Sequence, residues 1–387
     1  MAVIAQGHNP YEEGDLAVYR ARFGIPPCTT ASGCLRIVDP TSGYLQTDEY
    51  SQAGAVAALE LVSAVCPRCH LLLVHLDYSD SNGTVDAVDR AVRLGATQVV
   101  LYPRYVLDSV GPLDHPGVLV TVPAFDDKPY WPLKLASVVA VGATALSRAP
   151  NTRGWTELNS HSFSYGTSGS CATDVPKPAW QPDTGCTGRA MNDVSAVGDE
   201  QTPVAVYSSY AQGWVRDYGS GVSAAIVGGI SALAGSAVAG TQAPSYAYGH
   251  PGALNDVTSG SVPPDCHTRI CGPGPGWDGP TGLGTPNGAS AFEPTMAFGT
   301  LSGTVTSPSG SPVPDATVSA SSASSGGDSG TAVTQADGTY LLRVRPGRYT
   351  VRARTFGYAS ATQTVTVADS ATTMTSSRLR AVAMRTV

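Results

Sequence analysis

The 387-residue chain is long enough for two domains, and its 42% hydrophobic content supports a sizeable buried core. Only 14% of residues are charged while Gly (43) and Pro (29) are plentiful, which marks a loop-rich globular protein and excludes a disordered one. A net charge of −7 excludes the basic face that nucleic-acid binding needs, and no apolar run reaches the ~18 residues of a membrane span.

Apolar strand-like runs occur at 2–5, 71–75, 98–102, 118–122 and 138–141, and helical apolar spacing occurs at 51–65 and 85–94. This alternation predicts an α/β unit with a mostly parallel sheet covered by helices on both faces. Further on, the stretch DYGSGVSAAIVGGI (217–230) reads as a tight glycine turn feeding a small-residue helix that begins near Ser223. A glycine turn that delivers a serine to a helix start is a known way to mount a nucleophile, so Ser220 and Ser223 are both candidates. The competing reading of each is a small turn residue and a helix-start serine that satisfies backbone donors.

Composition changes near residue 298, after a linker at 293–298. Short alternating runs at 301–306, 316–320, 339–344, 349–354 and 363–367 are separated by turn dipeptides, and 321–330 reads as a long Ser/Gly-rich hairpin loop. The expected organisation is therefore an α/β domain over 1–296 and a small all-β sandwich over 299–387.

The eight cysteines fall into close pairs, Cys28/Cys34, Cys66/Cys69, Cys171/Cys186 and Cys266/Cys271. Even count and short spacing favour four disulfides in an oxidising, extracellular compartment. A redox pair or half a zinc site remains the rival for Cys66-Pro67-Arg68-Cys69. The start of the chain carries no signal-peptide pattern. That conflicts with an extracellular location unless the start is assigned late or the chain is a fragment of a longer precursor.

Several stretches together resemble the sedolisin family of serine-carboxyl peptidases, in its secreted actinobacterial branch. They are GDLAVYRARFGIPPCTTASGCLRIV (14–38), LVSAVCPRCHLLLVH (61–75), VVAVGATAL (138–146), NDVSAVGD (192–199), YGSGVSAAIVGGISALAG (218–235), NDVTSGS (255–261) and GPGWDGPTGLGTPNG (274–288). The tail, with GTVTSPSGSPVPDATV and ADGTYLLRVRPGRYTVRARTFGY, resembles the carboxypeptidase-regulatory-like, transthyretin-type sandwich.

The resemblance implies a subtilisin-like fold and a serine nucleophile activated by a glutamate, with one aspartate orienting that base and another at the oxyanion. Carried onto this sequence, the glutamate and aspartate positions hold Gly54 and Ala58, and the nucleophile position holds Gly221. Spacing of four puts the first two on one helix face, where neither can move a proton. Ser223 falls on the family's non-catalytic second serine. Asp126 falls on the oxyanion aspartate, and is equally readable as a plain loop acid. The nearest acids are Asp48, Glu49 and Glu60, and Glu60, two residues past Ala58, lies about 200° around the helix from it and faces away.

The resemblance also implies one structural Ca²⁺, held by Asp256, Val257, Gly274, Gly276 and Asp278. Calcium prefers such hard oxygen ligands, although two solvated turn aspartates are the plainer reading. The seven histidines show no zinc-binding motif, and His70 reads as structural. The resulting expectation is a monomeric, secreted peptidase homologue, inactive at its triad, that binds a polypeptide or cell-surface ligand. The alternatives are an acid-pH endopeptidase using Ser220 or Ser223, or a truncated, decaying paralogue.

Overall fold

The computed structural model describes residues 1–381 apart from 7, 41–48, 78, 81, 103–110, 116, 125–129, 149–155, 160–168, 179, 182–184, 239–240, 261–267, 295–298, 323–328, 345–346 and 369–370. It divides into two compact units, Met1–Pro294 and Thr295–Val387.

In the first unit, β1 (Ala2–Ala5), α1 (Glu12–Arg22), β2 (Leu35–Val38), α2 (Glu49–Val65), β3 (Leu71–His75), α3 (Gly83–Arg93), β4 (Gln98–Tyr102) and β5 (Leu119–Pro123) follow in order. They lead to β6 (Val138–Ser147), β7 (Thr156–Asn159), β8 (Ser170–Pro176), β9 (Gly188–Met191) and β10 (Val194–Val197). A hairpin of β11 (Val204–Ser208) and β12 (Gly213–Asp217) then precedes α4 (Ser220–Leu233). The main sheet runs β2-β3-β1-β4-β5-β6-β10 in parallel, with β7 antiparallel on β6.

Period-two side-chain alternation decides what each face buries. Ile4, Val74, Val99 and Leu101 pack with Val88 and Ala91 of α3 on one face. Val3, Leu73, Val100 and Tyr102 pack with Leu16 of α1, Leu59 of α2 and Val222 of α4 on the other. Both faces are covered, so the strands read as continuous apolar runs.

Helix α4 starts at Ser220, three residues ahead of the start expected near Ser223. Gly219 precedes it at φ +106°, a conformation open to glycine, and its N–H donates to Gly198 O at 2.6 Å. Small residues let α4 sit deep: a Cβ added at Gly228 would lie 2.3 Å from Val100 Cγ2, and one at Gly229 would lie 2.7 Å from Val65 Cβ.

The second unit is all-β. Strand Gly299–Thr306 pairs antiparallel with Thr339–Val344 and parallel with Thr372–Met374. A second sheet joins Ser329–Val333, Thr317–Ser322, Gly347–Arg354 and Ala361–Val367. Leu301, Val305, Val318, Val351 and Tyr349 form its core. The loop expected at 321–330 is shortened at both ends, because Ser322 closes one of these strands and Ser329 opens another.

Cys28–Cys34, Cys66–Cys69 and Cys171–Cys186 are disulfides. Cys66–Cys69 is thus neither a metal ligand pair nor a dithiol. Cys271 is also disulfide-bonded, and Cys266, its expected partner, lies outside the described residues.

Candidate functional site

Ligands of open parallel sheets gather at the carboxyl ends of the strands. There the end of β4 meets the first turn of α4 and the buried face of α2. Ala58 is fully buried in one apolar cluster with Tyr102, Val222 and Ala225, and Gly54 is buried one turn earlier on α2. A Cβ built at Gly221 would lie 3.1 Å from two ring carbons of Tyr102. Tyr102 is itself fixed, since its hydroxyl donates to Asp217 Oδ2 at 2.8 Å. An aromatic ring therefore occupies the space toward which a residue-221 side chain would grow.

The two nearby serines differ. The Ser223 hydroxyl donates to Ala196 O (2.8 Å) and Val197 O (3.2 Å), so it ties α4 to β10 through carbonyls and does not cap backbone donors. Ser220 is 2% exposed and its hydroxyl has no hydrogen-bond partner among the described residues. Among those residues, no carboxylate bonds to either hydroxyl, although an activated nucleophile needs a base in reach. Asp126, the expected oxyanion residue, and Asp48 lie outside the described residues, and nothing is described of the Glu49 side chain.

Glu60 points at the β11–β12 hairpin, where Tyr207 N–H donates to its Oε2 at 2.8 Å. Its Oε1 is buried without a partner among the described residues. Burial pushes this carboxyl up to about 9, with the charges of Asp15 and Asp217 adding to the rise and the Tyr207 bond opposing it. Glu60 is a neutral acid at neutral pH. Burial and the Glu60 charge likewise push Tyr19 up to about 12.

Behind the sheet edge, Arg189 and Asp193 form a fully buried bidentate pair, with Nη1–Oδ1 at 2.8 Å and Nη2–Oδ2 at 2.5 Å. Asp193 also accepts from Ala140 N–H and the Tyr248 hydroxyl, each at 2.8 Å. These bonds make the NDVSAVGD segment a structural junction.

Of the five residues expected around calcium, Asp256 meets Gly276 and Asp278 meets Gly274 in the loops after 254 and 273. Asp256 Oδ2 accepts from Gly276 N–H at 2.8 Å, and Asp278 Oδ2 accepts from Gly274 N–H at 2.8 Å. Asp278 Oδ1 accepts from Thr281 N–H and Oγ1, each at 2.9 Å. Gly276 adopts φ +73°, which favours glycine and sets the turn. Burial, with the Asp256 charge adding to it, holds the Asp278 carboxyl up at about 6 against the pull of those hydrogen bonds. Asp256 and Asp278 thus bring two carboxylates, hard oxygen donors of the kind calcium takes, to neighbouring glycine loops whose N–H groups face them.

A polar cluster that the sequence does not announce lies at the ends of β1, β2 and β3. His75 Nε2 contacts Glu12 Oε1 at 2.8 Å, and His75 Nδ1 contacts Asp39 Oδ1 at 2.6 Å. His8 stands edge-on to the His75 ring, with centroids 5.0 Å apart. Burial lowers the pKa of His75, but Glu12 and Asp39 outweigh it, so the net shift is upward. The available signal was His8 and Glu12 four residues apart; nothing local tied them to residue 75. The His70 ring contacts backbone, Nδ1 to Gly33 O at 3.1 Å, and the His70 carbonyl accepts from the Met1 amino group at 2.8 Å.

No curated protein matches the chain in sequence. The carboxypeptidase regulatory-like domain family matches residues 300–380. Among solved structures, the chain is similar to the serine-carboxyl proteinase sedolisin from Pseudomonas, solved with two molecules of pseudo-iodotyrostatin. That likeness has TM-score 0.56 and 18% identity and covers 74% of this chain and 89% of sedolisin. Fervidolysin from Fervidobacterium pennivorans, a keratinolytic enzyme related to subtilisin, is aligned over 97% of this chain and 59% of its own, with 14% identity and TM-score 0.41. The helix-flanked parallel sheet thus has the sedolisin-type, subtilisin-like fold, and a carboxypeptidase regulatory-like domain follows it.

Proposed function

We propose that this chain is a secreted serine-carboxyl-peptidase homologue that no longer cleaves peptide bonds and uses its cleft to hold a polypeptide or cell-surface ligand. The observation that carries the reading is the Tyr102 ring 3.1 Å from the start of any residue-221 side chain, with Ala58 sealed into the same apolar cluster. Losing the nucleophile alone costs a serine protease about a million-fold in turnover, and roughly a thousand- to ten-thousand-fold over water survives from binding and oxyanion contacts. The disulfides support an oxidising, extracellular setting. A single Ca²⁺, bound by Asp256 and Asp278 with the carbonyls of Val257, Gly274 and Gly276, would tie the two loops together as a structural ion.

Incubation of the purified protein with a denatured protein substrate across acidic and neutral pH, alongside a fluorophosphonate probe, tests this. The expected result is retention of the polypeptide without cleavage and no probe labelling. Acid proteolysis that disappears in Ser220→Ala or Ser223→Ala overturns the reading in favour of an active endopeptidase.

A further inference from the structure

The cluster at the ends of β1 and β3 holds two imidazoles and a carboxylate from segments far apart in sequence. One ligand atom from each of His8, Glu12 and His75 lies within 4.8 Å of the others. His75 and Glu12 are shielded from solvent, with side chains 0% and 2% exposed. His8 Nδ1 is also buried as an atom, yet it makes no hydrogen bond among the described residues and approaches Asp39 Oδ1 only to 3.9 Å. A simple His75 ion pair is complete with Glu12 and Asp39, and it leaves this third group unexplained.

We propose that His8, Glu12 and His75 form a binding site for one divalent transition-metal ion of the zinc class, distinct from the calcium loop. An ion about 2.0–2.2 Å from each ligand needs ligand atoms about 3.4 Å apart. The 2.8 Å His75–Glu12 contact and the 4.8 Å outer limit bracket that spacing. Two imidazole nitrogens select zinc, copper, iron or nickel over calcium and magnesium, which take oxygen ligands. On binding, the proton shared between His75 Nε2 and Glu12 leaves to solvent and the nitrogen lone pair goes to the metal. His75 Nδ1–H stays on Asp39, the carboxylate–histidine–metal arrangement that fixes ring orientation. Asp39 is thus a positioning residue. Glu12 is itself anchored, since its Oε1 also accepts from Asn9 N–H at 2.9 Å.

The ion would fasten the β1–α1 connection to the end of β3, at the edge where the β2-β3-β1 strands terminate. Three protein ligands leave a position for water, as in open zinc sites.

The test is a titration of chelator-treated full chain with Zn²⁺, and in parallel with Co²⁺, in excess Ca²⁺ so that the calcium loop stays filled. One equivalent should bind, with a visible d–d band for Co²⁺. His8→Ala, at a half-buried residue, and Glu12→Gln should each weaken binding about tenfold or more, and Asp39→Asn by about 10–100-fold. His250→Ala should leave the affinity unchanged. Absence of a stoichiometric site in the wild type overturns the proposal. So does wild-type affinity in a His8→Ala protein whose near-ultraviolet dichroism shows it folded.

Discussion

Replacing Glu60 with glutamine should make the first unit more stable at neutral pH and leave it nearly unchanged in acid. The native carboxyl holds its proton to about pH 9, whereas an exposed glutamate releases it near 4.5. Native protein therefore binds the proton more tightly than the unfolded chain throughout that window. This contribution is fully present below about 4.5 and falls by about 1.4 kcal/mol per pH unit as pH rises toward 9. Between 4.5 and 7 the loss is about 3 kcal/mol, an upper figure that relaxation around the hairpin would reduce. Glutamine keeps an oxygen for the Tyr207 N–H and never titrates. All five tryptophans precede Pro294, so tryptophan fluorescence in urea reports the first unit alone. The difference in unfolding free energy between Glu60→Gln and wild type should be near zero at about pH 4 and favour the variant by about 2–3 kcal/mol at about pH 7. Parallel stability curves for the two proteins across that range would refute the reasoning, because Glu60 would then titrate as an ordinary surface acid.

Other expectations concern the cleft, the loops and the sheet junction. Gly221→Ser should gain no fluorophosphonate labelling and should lose about 1–3 kcal/mol from crowding against Tyr102, read from urea midpoints. After chelator treatment, added Ca²⁺ should raise the melting temperature if calcium fills the Asp256–Asp278 loops, since an ion at 100 times its Kd contributes about 2.7 kcal/mol; Asp278→Asn should melt the same with and without added Ca²⁺. An unchanged wild-type melt would remove the ion. Asp193→Asn should cost about 3–5 kcal/mol, because Arg189 would remain buried beside a neutral partner. A loss under about 1 kcal/mol in urea unfolding would show the pair to be solvated.

The central strands were legible because burial on both faces turns them into unbroken apolar runs. The strand read at 138–141 continues to Ser147, however, since Gly142, Ala143 and Thr144 carry little hydrophobic signal while packing inside. Helix α1 went unread by periodicity: its buried side includes Glu12, Asp15 and Arg20, which count as polar in any pattern. Arg20 is sealed because its guanidinium donates to Pro26 O, the Ser63 hydroxyl and Pro67 O. At the site, the small residues at positions 54, 58 and 221 were visible in the sequence. The aromatic ring over Gly221 was not, because contact between residues 102 and 221 exists only once β4 and α4 are docked. The same holds for His75, whose two acids arrive from the start of α1 and the residue after β2.

The paired glycines of α4 limit how this cleft can be re-engineered. At Gly228 and Gly229 the helix backbone already lies against Val100 and Val65, so even one methyl group there lifts the helix from its seat. The helix is a fixed wall, and new chemistry installed along it inherits the present aim of every side chain. The adjustable wall is the opposite one: shortening the aromatic side chain that closes β4 opens room without moving any backbone.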